Sequence, residues 1–232
     1  MKRNVVLAIT GASGAIYAVR LLDVLVAIGC DVQLAISPAG KAVLRQELGL
    51  DVDVEHFRLE SLLPTRKELA ALDRFKSVRE LIGVDAWQYG APQNAAAVAT
   101  EPGRVQYHHY QDFFAAIASG SALTDGMVVC PCSGGTLSAI AHGASGNLIH
   151  RAADVHLKEH RRLILVPRET PLSLVQLDNM RRCAEAGAVV LPAMPGFYHG
   201  VHSIRDLVDF VVGRICDQLG IAQPLIKRWG ES

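Results

Sequence analysis

The feature that most constrains this chain is a repeated pairing: a short apolar run, then a turn of small, hydroxylated or charged residues. The runs are Val5 to Thr10, Val32 to Ser37, Met127 to Cys132, Leu163 to Pro167 and Ala188 to Pro192. Each has strand length and is apolar at consecutive positions, so both of its faces must be covered. That pattern belongs to parallel strands under helices on both sides. Helix-length segments separate the runs: Ala15 to Ile28, Ala39 to Leu48, Thr136 to His142, Leu148 to His160, Leu172 to Ala186 and Ile204 to Leu219. The alternation specifies an α/β chain, doubly wound, with a mostly parallel sheet and right-handed crossovers, Rossmann or flavodoxin-like in kind.

Several helix ends are marked by their residues. Thr170-Pro171 reads as an N-cap followed by proline at the first helical position. Ser203 with Asp206 has the spacing of a capping box. Gly29, Gly187 and Gly220 stand where a left-handed residue closes a helix. From Gly49 to Ser119 the rhythm breaks. Arg66 to Ile82 is charged and amphipathic and reads as a surface helix, whereas Gly90-Ala91-Pro92 and Ala95 to Ala97 show little periodicity. Residues 1–232 therefore read as a single domain with an elaborated insertion at about 49–118 and a C-terminal tail at about 221–232.

Composition narrows the function. Half of the 232 residues are hydrophobic, enough for one substantial core. The formal net charge of zero gives no global basic field for nucleic acid, so phosphate recognition must rest on a few placed cations. No apolar run approaches the roughly 20 residues of a membrane span. Met1-Lys2-Arg3-Asn4 leads straight into a strand-like run without a secretory cleavage pattern. Five scattered cysteines argue against a disulfide framework and for a reducing, cytoplasmic compartment. Nine histidines include neither HExxH nor a matched CxxC pair, so no metal site is expected.

Ligands of such sheets bind beyond the carboxyl ends of the strands. There the sequence delivers Thr10-Gly11-Ala12-Ser13-Gly14, Ser37, Cys132-Ser133-Gly134-Gly135-Thr136, Arg168-Glu169-Thr170 and Pro195-Gly196-Phe197-Tyr198-His199. The first glycine turn opens a helix, and its amides and dipole favour an anion or an electron-rich ring. In isolation it could equally be a packing device. The Ser133 turn adds two hydroxyls, with a plain N-cap as its simpler reading. Arg151 and Lys158 are seven apart on one expected helix, hence on one face. Arg168 and Glu169 form a charged pair directly after a buried run, Tyr198 offers a phenol, and Arg214 could simply pair with Asp217 or Asp209.

Taken in order, Thr10-Gly11-Ala12-Ser13-Gly14, Ala118-Ser119-Gly120-Ser121, Cys132-Ser133 through Thr136-Leu137, Asn147-Leu148-Ile149 through Arg151-Ala152-Ala153-Asp154, Leu157-Lys158-Glu159, Val166 to Pro171 and Pro195 to His199 resemble the flavin prenyltransferases of the UbiX type. The resemblance implies that reduced FMN and dimethylallyl phosphate bind together. The prenyl group then joins flavin N5 and C6, phosphate leaves without a metal, and the prenylated FMN serves a UbiD-type decarboxylase. It further implies that Gly11, Ala12, Ser13, Ser37, Ser133, Gly134, Gly135, Thr136 and Arg168 hold FMN. Arg151, Lys158, Tyr198 and Arg214 would surround the prenyl phosphate, and Ser13, Glu47, Lys158 and Glu169 would be the catalytic groups. Family members form homododecamers with sites between subunits, which leaves the Leu225 to Gly230 tail, with Trp229, able to reach a neighbour.

The chemistry suits those residues. An allylic phosphate ionises when its departing charge is stabilised, and preorganised Arg and Lys donors do that. A glutamate crowded by phosphate is shifted toward its protonated form and can pass a proton to the leaving group. Two alternatives stand beside this reading. One is an FMN-dependent cysteine decarboxylase-like flavoprotein, whose expected histidine and asparagine-methionine motif are not apparent. The other is a non-catalytic flavin carrier, which would have no use for a second phosphate site.

Overall fold

The structure, a computed structural model, describes residues 2–63, 101–198, 200–223 and 225–226. The expected surface helix at Arg66 to Ile82, the Gly90-Ala91-Pro92 and Ala95 to Ala97 stretches, His199 and Trp229 lie outside the described residues.

The elements run β1 (Asn4–Ile9), α1 (Ala15–Ala27), β2 (Asp31–Ile36), α2 (Pro38–Leu48), α3 (Leu59–Leu62), β3 (Val105–His109), a 3₁₀ turn (Ala116–Ala118), β4 (Gly126–Cys132), α4 (Gly134–Ala141), α5 (Leu148–Lys158), β5 (Leu163–Pro167), α6 (Leu174–Glu185), β6 (Val189–Val190) and α7 (Ile204–Leu219). The strands form one six-stranded sheet in the order β3-β2-β1-β4-β5-β6, and every pairing is parallel. Strand order reverses between β1 and β4, so a crevice opens beyond the ends of those two strands.

Two apolar layers sandwich the sheet. Leu7, Ile9, Leu34, Ile36 and Val128 face α1, α2 and α7, and Leu21, Leu25, Leu44 and Val212 come down on them. Val6, Ala8, Met127, Val129 and Leu165 face the other way, toward Leu137, Leu148, Ala152 and Cys183 of α4, α5 and α6. Consecutive residues of one strand thus feed opposite cores, as the unbroken apolar runs required. A charged bolt crosses the first layer. Arg20 of α1 donates to Asp209 of α7 at 2.7 Å and to Asp23 at 2.7 Å, and Arg205 reaches Asp209 at 3.3 Å. Burial holds the Asp23 carboxyl above its ordinary value despite these cations. Removing one partner of such a buried network costs about 3–5 kcal/mol, because the other charge is left without compensation.

Most helix ends fall where their residues indicated. Ser203 and Asp206 form a reciprocal capping box, and Gly29, Gly187 and Gly220 take positive φ. Two expectations need correction. The helix after β5 does not start at Thr170-Pro171 but is capped by Ser173, whose hydroxyl accepts from the Gln176 amide while the Gln176 side chain returns to the Ser173 N–H. Three residues after Thr170 stands Ser173, too short to close that loop, whereas Gln176 three residues after Ser173 has the reach. The connection from Gly49 to Ser119 also contains β3, a strand the sequence reading did not separate from its surroundings. β3 is an edge strand with only Val105 and Tyr107 facing the core, and His108 is held instead by Gln33 at 2.7 Å.

Candidate functional site

The two turns beyond the switch point are joined by one side chain. Thr10, buried at the end of β1, donates its hydroxyl to the Pro131 carbonyl at 2.7 Å. The same oxygen accepts from the Ser133 amide at 2.9 Å. The Gly11 to Gly14 turn and the Ser133 to Thr136 turn therefore flank one crevice at a fixed separation. Sequence reasoning placed Thr10 at this strand end but gave it no role of its own. Its signal was a hydroxyl closing an otherwise apolar run, where a buried side chain needs a hydrogen-bond partner.

The first turn is shaped by packing and by an internal anion. A methyl group on Gly11 would stand 2.4 Å from the Ala39 side chain, so Gly11 lets α2 lie against the turn. Gly14 takes φ of 109° at the N-cap of α1 and has no side chain to satisfy that helix's first amides. Glu47, near the end of α2, supplies the missing acceptor: its carboxylate takes the Gly14 amide at 2.9 Å and the Ala15 amide at 2.9 Å. A negative group at a helix N-terminus is stabilised by the dipole as well as by these bonds. Of the two occupants the sequence suggested for this turn, an anion or an electron-rich ring, the chain itself supplies an anion.

The second turn is different. Ser133 caps α4, accepting from the Thr136 amide at 3.3 Å and donating to the Thr136 hydroxyl at 3.0 Å. Gly134 and Gly135 follow as the first helical residues, whose amides have no partner within the helix. A methyl group on Gly135 would meet nothing within 4 Å, so the turn faces open space. Ser37, beyond β2, caps α2 through the Gly40 amide at 3.0 Å. Arg168, beyond β5, donates to the Ser13 carbonyl at 3.3 Å and so reaches the first turn from the far side of the crevice. Glu169 is exposed beside it, accepting from the Thr170 amide at 3.2 Å and from the Gln176 side chain at 3.3 Å.

The four groups expected around a second phosphate divide between helices that cover opposite faces of the sheet. Arg151 and Lys158 stand on α5, over the second apolar layer. There Arg151 donates to the Ala118 carbonyl at 3.0 Å and pairs with Asp154 at 3.0 Å, while Lys158 pairs with Glu159 at 3.6 Å. Glu159 in turn lies against Gly120, so these cations border the Ala118 to Ser121 segment. Tyr198 stacks edge-on against Phe210 of α7, and Arg214, also on α7, pairs with Asp217 at 3.0 Å. α7 packs on the opposite face of the sheet from α5. The simpler reading of Arg214, a pair with Asp217, is realised here, since Asp209 is engaged with Arg20 and Arg205.

Cysteine chemistry has little foothold. All five cysteines are free and buried, and burial pushes Cys183 up to about 11 and Cys216 up to about 12. Thiols so hard to ionise are poor nucleophiles. Among the described residues, no group of three or more His, Cys, Asp or Glu is placed to hold a metal ion, and no helix is long and apolar enough to cross a membrane.

Known proteins match this architecture along its length. The flavoprotein family model covers residues 1–216. A flavin prenyltransferase UbiX of Pseudomonas aeruginosa is 45% identical over 228 residues, 98% of this chain and 94% of that protein. Its counterpart in Halalkalibacterium halodurans is 44% identical over 223 residues, 96% of this chain and 91% of that protein. The chain belongs to the UbiX flavin prenyltransferase family. Among solved structures, AnUbiX (PadA1) in complex with FMN and dimethylallyl pyrophosphate covers the whole of both chains at a TM-score of 0.72 and 33% identity. A dodecameric FMN-dependent UbiX-like decarboxylase from Escherichia coli O157:H7 matches at a TM-score of 0.72 and 32% identity, over 98% of this chain and all of that one. An FMN-dependent cysteine decarboxylase, TvaF, is similar at a TM-score of 0.50 and 14% identity, a likeness of fold alone.

Proposed function

We propose that this flavin prenyltransferase joins the dimethylallyl group of dimethylallyl phosphate to N5 and C6 of reduced FMN, releasing phosphate and yielding prenylated FMN for a UbiD-type decarboxylase. The observation that carries the reading is the crevice at the switch point, walled by two turns that Thr10 ties together and open at Gly135. These residues suit FMN. The Ser133 to Thr136 turn offers unpaired amides and hydroxyls to a phosphate, and Gly11, Ala12, Ser13 and Ser37 line the other wall for the ring. Bound there, the reduced flavin supplies electron-rich N5 and C6 positions for alkylation.

The chain's own residues have three tasks. Arg168, anchored on the Ser13 carbonyl, holds the flavin side of the crevice at a fixed distance from the first turn. Arg151, Lys158, Tyr198 and Arg214 take the leaving phosphate, whose charge grows as the allylic C–O bond breaks, so fixed cations favour the transition state over the ground state. Glu169 handles the proton that the departing phosphate needs, and Ser13 and Glu47 act at the first turn beside the ring. α5 and α7 lie on opposite faces of the sheet, which favours a site where another copy of the chain supplies one pair of phosphate ligands. A dodecamer like that of the Escherichia coli relative meets this need.

The test is a mass measurement. Incubated without oxygen with reduced FMN and dimethylallyl phosphate or diphosphate, the protein should return flavin heavier by one C5 unit. Unchanged flavin with both donors overturns the reading. Glu169→Gln should keep FMN affinity and lose roughly 100-fold or more in turnover, the scale of a lost acid–base group; wild-type turnover would remove its assigned role.

A further inference from the structure

Gln176 stands on the first turn of α6, and its amide is committed at both ends. The oxygen accepts from the Ser173 N–H at 2.8 Å as the returning half of the capping box. That bond fixes which end of the amide is which, because a backbone N–H needs an acceptor. The nitrogen is thereby turned away from the helix and donates to Glu169 Oε2 at 3.3 Å. The other Glu169 oxygen accepts from the Thr170 amide at 3.2 Å. Both carboxylate oxygens are thus held, one by backbone and one by Gln176.

The same nitrogen stands 3.3 Å from where a side chain on Gly134 would begin. The absence of a side chain at Gly134 lets the amide come up to the second glycine turn. Charged groups on neighbouring elements are engaged elsewhere: Arg168 with the Ser13 carbonyl, and Arg181 and Arg182 with Asp178. Among the described residues, Gln176 is the one side chain that donates to Glu169.

We infer that Gln176 is a positioning residue: its helix cap aims an amide N–H at Glu169, and it holds that carboxylate between the second glycine turn and the leaving phosphate. This rests on the proton-handling role proposed for Glu169. A capping glutamine with a free nitrogen is common. Here both ends of the amide are used, and the second end meets the group that the reaction needs oriented. A carboxylate with one oxygen released would rotate about its last bond and spend less time in the reactive geometry.

Three variants separate positioning from capping. Gln176→Met removes both bonds at nearly constant shape. Gln176→Glu keeps the capping box, since glutamate closes it as well as glutamine does, but removes the donor. Both should lower kcat about 10-fold with KM for reduced FMN within about twofold, the scale of a misaligned rather than deleted catalytic group. Combined with Glu169→Gln, and followed as single-turnover rates over hours, Gln176→Met should cost little more than Glu169→Gln alone, because the two act as a unit. Wild-type kcat in Gln176→Glu would show that capping is all the residue does, and additive losses in the double variant would show that it acts apart from Glu169. Either result overturns the inference while leaving the prenyltransferase reading in place. Wild-type protein that leaves flavin unmodified removes both.

Discussion

The two glycine turns at the switch point look alike in sequence and are built on opposite plans. After β1, Gly11 is pressed against Ala39, and the amides of Gly14 and Ala15 are already bound to Glu47. After β4, Ser133 satisfies its own helix through Thr136, and Gly135 has nothing in front of it. One turn is closed by the chain and the other is left open. A glycine in a strand-to-helix turn therefore has two separate uses, admitting the protein's own neighbours or admitting something foreign. Only the surroundings tell them apart.

Within the two turns, the largest effect should come from the internal anion. Glu47→Gln keeps the shape of the side chain but weakens its hold on the Gly14 and Ala15 amides, and it removes a charge next to the expected flavin ring. Turnover should fall on the order of 100-fold, equivalent to about 2.7 kcal/mol of transition-state stabilisation. A variant with turnover near wild type would mean that Glu47 only caps α1 and that the closed turn takes no part in the reaction.

Gly11 tests the packing half of the contrast. Gly11→Ala drives a methyl group into the Ala39 side chain and should destabilise the fold by about 2 kcal/mol, within the usual range for overpacking. Adding Ala39→Gly should recover most of the loss in thermal midpoint. If the single variant melts like wild type, the first turn is looser than its contacts imply, and the distinction between the turns fails.

Gly135→Ala is the gentlest change and the sharpest on the ligand. A methyl group there meets no protein atom, and alanine is favoured over glycine in a helix by roughly 0.5–1 kcal/mol, so the melting temperature should hold or rise. FMN affinity, followed by fluorescence quenching, should nevertheless fall about 10-fold if the flavin phosphate takes that space as proposed. Unchanged affinity would place the flavin phosphate elsewhere.

These contrasts also explain what the sequence could convey. Runs such as Val5 to Thr10 and Met127 to Cys132 named their strands because burial on both faces leaves an unbroken apolar signature. β3 did not, since an edge strand carried by Val105 and Tyr107, with His108 satisfied by Gln33, has half the signal. The strand-end residues were legible as a set because chain direction in a parallel sheet fixes which ends meet. Their partners were not. That Glu47 reaches back to Gly14, that Thr10 links two turns, and that Gln176 rather than a cation steadies Glu169 depend on contacts between residues remote along the chain. The placement of Arg151 and Arg214 on opposite faces was hidden for a related reason. Helical spacing tells which residues share a face of one helix, but not which side of the sheet that helix covers.

The hydroxyl of Thr10 sets a gauge. Because one oxygen both gives a proton to the Pro131 carbonyl and takes one from the Ser133 amide, the gap between the two turns is measured in bond lengths rather than in side-chain rotamers. A spacing set that way is lost if Thr10 loses its hydroxyl, even where the side chain keeps its shape.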